Sequence, residues 1–203
     1  MIEIIHEDEQ IIILNKPGGI LVIPSPKNEE HTLTNLLNIE LAKKGLNVKA
    51  HPCHRLDKDT SGIILYAKGK KNQQLFMNLF HENKIEKKYF AVVAGRLKQS
   101  EGVLKDPIEG KPALTIYKTV SNGDGFTSVD IELKTGRTNQ IRIHFKNLGH
   151  PLLGDYKFAF RKDFSIKLKR LALHAYFMKF IHPVIGKEMI IKTAIPESLK
   201  QFF

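Results

Sequence analysis

This 203-residue sequence predicts an α+β fold, with a largely antiparallel mixed sheet flanked by helices and loops. Three observations carry that expectation. Apolar runs of strand length outnumber stretches with helical period. Many of those runs are joined by loops of hairpin length. Strands do not alternate with long helices, as they would in a doubly wound parallel sheet. With 42% hydrophobic and 26% charged residues, the chain has the composition of a soluble globular protein. There is no internal repeat, low-complexity tract or Ser/Gly linker, so residues 1–203 are expected to form one continuous domain.

Ile11 to Leu14 is a short apolar run stopped by "NKPGG", and reads as a buried strand entering a turn. "ILVIPSP" continues extended until Pro24 and Pro26 end it. The period then changes. Leu33, Leu36, Leu37 and Leu41 fall at i, i+3, i+4 and i+8, with Thr32 as N-cap and Gly45 as stop, which predicts an amphipathic helix. Gly62 to Lys68 reads as a strand. Asn72 to Glu82 reads as a helix with Leu75, Phe76, Leu79 and Phe80 on one side. Lys88 to Ala94 is a strand, and "TIYKTV" and "SVDIELK" are two more around the turn signal "SNGDG". In "QIRIHF", Ile141, Ile143 and Phe145 alternate with Arg142 and His144, which predicts a strand with one polar face. "LALHAYFMKFI" and "MIIKTA" follow as strands joined through "HPVIG", and "PESLKQFF" as a last helical turn.

The net charge is +11 and the pI about 9.6, the electrostatic footprint of a polyanion binder, nucleic acid first. No basic amphipathic helix or long apolar span points to a membrane instead. Cys53 is the single cysteine, so no intrachain disulfide can form, and a reducing, cytoplasmic location is expected. The acidic start "MIEIIHEDEQ" is unlike a signal peptide.

Two constellations hold chemistry. "HPCHRLDKDTSG" crowds His51, Cys53, His54, Asp57 and Asp59, but at no zinc-ligand spacing, so no metal is expected and Cys53 reads as a packed residue. Asp57 lies between Arg55 and Lys58, and cations beside a carboxylate keep it ionised and able to act as nucleophile or base. The same residues are also good turn formers, and the local pattern leaves both readings open. "KTGRTNQIRIHFKNLGHP" gathers Arg137, Arg142 and His144, groups suited either to phosphate contact or to a solvated sheet face.

"HRLDKDTSGIILYAK" resembles the signature of the RluA-type pseudouridine synthases. "LNKPGGILVIPS", "KIEKKYFAVVAGRL", "DPI", "TGRTNQIRIH", "GHPLLGD" and "RLALHAYFMKFIHP" resemble the other family segments, in family order. The resemblance implies the pseudouridine synthase catalytic fold and an isomerase that converts uridine to pseudouridine in structured ribosomal or transfer RNA, without cofactor or metal. It implies that Asp57 is the essential aspartate, attacking the sugar carbon or removing a sugar proton. Tyr89 matches the tyrosine that stacks on the flipped uracil, and Arg137 the arginine that pairs with the aspartate. Leu173 lies in the segment that walls the base pocket, and Arg55, Arg142 and His144 are expected on the substrate side. A monomer is expected, with no appended N-terminal RNA-binding domain. Asn139 stands where relatives commonly have His, and "GDYKFAF" departs from the usual ending of its segment. The alternative is a non-catalytic RNA-binding or RNA-folding protein on the same scaffold.

Overall fold

The structure, a computed structural model, describes residues 2–25, 31–160 and 164–203. The chain divides into two compact units, Met1–Ile85 with Met178–Thr193, and Glu86–Phe177 with Ala194–Phe203. The expected α+β architecture is found, and the strand ladders of each unit are antiparallel.

In the first unit the ladder runs β1 (Glu3–Glu7), β2 (Ile11–Lys16), β4 (Ser61–Lys68), with β3 (Ala50–Pro52) paired to the far part of β4. β2 and β4 are buried along almost their whole length, which explains why their sequences run apolar without alternation. On one face Ile11, Ile13, Ile63 and Leu65 pack with Phe76 of α2 (Lys70–His81). On the other, Tyr66 meets Thr34 of α1 (Leu33–Lys43), hydroxyl to hydroxyl at 3.1 Å. Thr32 caps α1 as predicted, accepting from the Asn35 amide at 3.3 Å, and Leu33, Leu37 and Leu41 are buried. On α2, Phe76 is buried and Leu79 and Phe80 pack against the same core, but Leu75 is exposed and does not belong to that face. The extended reading of "ILVIPSP" is not met: Leu21 makes one isolated bridge, to Thr32, and Pro26 lies outside the described residues.

In the second unit the ladder runs β5 (Glu86–Ala94), β8 (Phe126–Leu133), β7 (Thr115–Gly123), β6 (Glu101–Leu104). Its core gathers Phe90, Val92, Leu153, Leu199 and Phe202, the last two from α4 (Glu197–Lys200) and the residues after it. β9 (Leu173–Ile181) contributes to both units, and its end pairs with β10 (Glu188–Lys192). The strands β1, β3 and β6 are short and were not distinguished by any periodicity.

One element differs in kind. Gln140–Asn147, read above as a strand, is a helix, α3. Its buried residues are Gln140, Ile141, Arg142, His144 and Phe145, which is a helical face and not an alternating one. The alternation misleads because two polar residues are buried along with the apolar ones.

No helix is long and apolar enough to cross a membrane among the described residues.

Candidate active site

In the first unit, β3 leads through residues 53–60 into β4, and Asp57 sits in that connection. Leu56 is buried, Arg55 and Lys58 are exposed, and Asp57 is half-buried. Leu56 thus anchors the connection in the interior between exposed Arg55 and half-buried Asp57. The chain then turns, the Thr60 amide donating to the Asp57 carbonyl at 3.2 Å.

The turn is fixed by Lys16, a residue the sequence reading passed over. Lys16 is fully buried, and its ammonium donates to the carbonyls of Pro17 (3.0 Å), Lys58 (2.8 Å) and Thr60 (2.8 Å). The Gly19 amide donates to the Lys58 carbonyl as well, at 2.9 Å. "NKPGG" is therefore the clamp on the turn that follows Asp57. A lysine closing an apolar run, just before Pro-Gly, is the signal that could have shown it: a cation there must find several acceptors if it is buried.

The His and Cys residues of the loop are scaffold. Cys53 is buried, burial pushes its thiol up to about 12, and its amide donates to Leu65. A thiol so placed is a poor nucleophile. His54 accepts the Leu65 amide at Nε2 (3.0 Å) and stacks on Phe80 at 4.5 Å. Among the described residues no group of three or more His, Cys, Asp or Glu could hold a metal ion.

In the second unit, Tyr89 lies in β5 opposite Ile131 of β8, and is 8% exposed. Lys87, two residues before it on the same strand face, brings its ammonium to the Gly136 turn, 3.9 Å from where a Cβ would stand there. Leu173 opens β9 and is buried. Arg137 is exposed in the turn before α3, its Nε donating to the Pro112 carbonyl at 2.9 Å.

That turn is held by Gln140, a second residue missed in the sequence. Buried Gln140 accepts at Oε1 from the Arg137 amide (2.9 Å) and the Thr135 hydroxyl (2.8 Å). Its Nε2 donates to the Leu114 carbonyl (3.1 Å) and the Thr115 hydroxyl (3.0 Å). Asn139 precedes α3 in the left-handed region, at φ 55°, which Asn tolerates better than most residues.

Arg142 and His144 do not form the solvated polar face expected of them. Arg142 is 4% exposed and grips Asp155, Nε to Oδ2 at 2.8 Å and Nη2 to Oδ1 at 2.6 Å, with Nη1 donating to Asn139 Oδ1 at 3.0 Å. His144 is 1% exposed; its ring meets Thr115 Oγ1 at Nδ1 and the Asp106 carbonyl at Nε2, both at 2.9 Å. A carbonyl only accepts, so Nε2 carries a hydrogen. Both side chains tie α3 to its surroundings. Asp155 is presented by Gly154, at φ +73°, where a Cβ would lie 2.0 Å from the Arg170 carbonyl oxygen.

A family model described as RNA pseudouridylate synthase matches residues 10–147. An uncharacterized RNA pseudouridine synthase of Bacillus subtilis is 34% identical, covering 98% of this chain and 71% of its own. The ribosomal large subunit pseudouridine synthase D of Zymomonas mobilis is 32% identical over 100% of this chain and 72% of its own. Among solved structures, human RNA pseudouridylate synthase domain containing 4 superposes with a TM-score of 0.82 at 25% identity, over 98% of this chain and 92% of that one. The chain belongs to the RNA pseudouridylate synthase family. It is an isomerase that forms pseudouridine in RNA.

Proposed function

We propose that the substrate is ribosomal RNA and that Asp57 carries the chemistry. The observation that supports the substrate is the likeness, along the whole chain, to relatives named ribosomal large subunit pseudouridine synthase D. Asp57 acts on the ribose of a flipped uridine, as nucleophile at C1′ or as base at a sugar proton. The N1–C1′ bond breaks, C5 bonds to C1′, the C5 proton leaves and N1 takes one up, so product and substrate are isomers. Extruding the base costs stacking, and an aromatic face such as that of Tyr89 restores about 1–3 kcal/mol of it. Arg137 supports the charge of the aspartate, Leu173 helps wall the base, and Arg55 sits on the substrate side. Arg142 and His144, being buried, serve the fold of the Arg137 segment and do not contact RNA. The two units work as one catalytic domain, as a monomer in the cytoplasm.

Pseudouridine mapping across total RNA tests this reading. A strain lacking the gene should lose one or a few sites in ribosomal RNA, and wild type supplied in trans should restore them. Loss confined to transfer RNA would sink the substrate assignment. No loss in any RNA would favour a protein that only binds or folds RNA.

A further inference from the structure

The first unit carries a strongly cationic surface outside the Asp57 loop. Lys43 and Lys44 end α1; Lys49 precedes β3; Lys70 and Lys71 open α2. All five are exposed. None forms an ion pair among the described residues.

Their grouping follows from the backbone. Ala50 pairs with Lys68 at the far end of β4, and the Gly69 amide donates to the Lys49 carbonyl at 2.9 Å, so the lysine before β3 sits beside those that open α2. Asn38 of α1 bonds both the amide (2.8 Å) and the carbonyl (3.1 Å) of Ala50, which docks the helix bearing Lys43 and Lys44 against the same strand. His51 registers the field: besides burial, Lys70 and Lys49 push its pKa down. The neighbouring acids offset little of it. Glu7 is engaged by Lys68 at 2.7 Å and Asp8 by His6 at 2.9 Å, and α1 itself carries one acid, Glu40. The α2 amino terminus, with no side-chain cap, adds partial positive charge to the same place.

This surface is remote from the chemistry within its unit. Asp57 lies before the first residue of β4, Ser61, and the cluster lies around its last, Lys68. Seven steps of strand at about 3.3 Å set the two ends of β4 about 23 Å apart. A cluster at the far end of β4 lies away from the end that receives the Asp57 loop.

We propose that Lys43, Lys44, Lys49, Lys70 and Lys71 form a second RNA-contact surface, which binds the phosphate backbone several nucleotides from the target uridine without reading sequence. The proposal rests on the reading of this chain as an RNA-modifying enzyme. Charge complementarity chooses the occupant: five lysines without ion pairs suit a polyphosphate chain, and contacts of this kind set register and affinity, not specificity.

The test uses the full chain and a fluorescent RNA duplex of arbitrary sequence, about 20 base pairs long, titrated from about 50 to about 300 mM KCl. Combined Lys49→Ala, Lys70→Ala and Lys71→Ala should weaken binding at least about tenfold at the lower salt and flatten the log–log salt slope by about 1 per lysine. The matching Lys→Arg variant should keep the wild-type slope, since it keeps the charge. Single-turnover pseudouridine formation on ribosomal RNA from a strain lacking the gene should keep its saturating rate in the alanine variant while the concentration for half-saturation rises. An unchanged slope and affinity would overturn the proposal. So would a loss of binding seen only on vesicles of anionic phospholipid. If the wild type formed no pseudouridine while duplex binding still depended on these lysines, the functional reading would fail and the surface would stand.

Discussion

The Asp57 turn and the Arg137 turn lie in different units and on different elements, yet each is fixed by one buried polar side chain that reaches backbone groups. Lys16 gathers three carbonyls around Asp57. Gln140 accepts the Arg137 amide and the Thr135 hydroxyl, and donates to Leu114 and Thr115. The difference lies in what each clamp can satisfy. An ammonium only donates, so the Asp57 turn directs its carbonyls inward. A carboxamide donates and accepts, so one residue can hold an inward amide on one side and a neighbouring strand on the other. In both regions the clamp acts on backbone groups next to the functional residue, at Lys58 and Thr60 after Asp57 and at the amide of Arg137 itself.

The comparison can be broken at graded cost. The largest stability effect is expected beside the Arg137 turn, at the buried Arg142–Asp155 pair. Arg142→Met strands the Asp155 carboxylate and should destabilise the protein by about 3–5 kcal/mol in urea unfolding. Replacing both partners by apolar residues should recover much of that loss. Lys16→Met removes the ammonium from three carbonyls, of which that of Lys58 keeps the Gly19 amide, and should cost about 3 kcal/mol. Gln140→Leu should cost about 2 kcal/mol, because Thr135, Leu114 and Thr115 retain bonds of their own. Both variants should slow pseudouridine formation in conditions where the protein stays folded. If either left the rate at the wild-type level, its turn would not need that clamp.

A pH dependence follows as well. Burial holds the His174 imidazole down at about 4, with Arg170 adding to the shift, and burial also lowers His182. The native state keeps these rings neutral, while the unfolded chain takes up protons near pH 6.5. The His174 contribution is therefore complete above about pH 6.5 and is lost as pH falls toward 4, by about 1.4 kcal/mol per unit, and His182 acts in the same direction. Urea midpoints between pH 7 and 5 should fall, and His174→Asn should flatten the curve. A midpoint that rose on acidification would contradict the assignment.

Much of this was legible in the sequence. The buried strands β2 and β4 declare themselves by unbroken apolar runs, and α1 by its leucine spacing and Thr32 cap. The turn after Asp57 was readable because Asp, Thr, Ser and Gly are turn formers, whereas the role of Asp57 was implied only by the family resemblance. Gln140–Asn147 was misread for a physical reason. Period-2 alternation over six residues assumes that polar side chains face water, and Arg142 and His144 are buried because Asp155, Asn139, Thr115 and Asp106 satisfy them from elsewhere in the chain. Lys16 hid in the same way: its acceptors lie 42 and 44 residues away. What local sequence cannot show is which polar groups will find partners at long range.

The central claim is that the Asp57 carboxylate performs the isomerisation. The direct measurement is single-turnover pseudouridine formation by purified Asp57→Asn on ribosomal RNA from a strain lacking the gene. The rate should fall at least about 10³-fold below wild type, in the range removed with an essential acid–base group, with unchanged unfolding midpoint and RNA affinity. A variant that still formed pseudouridine at a rate near wild type would contradict it.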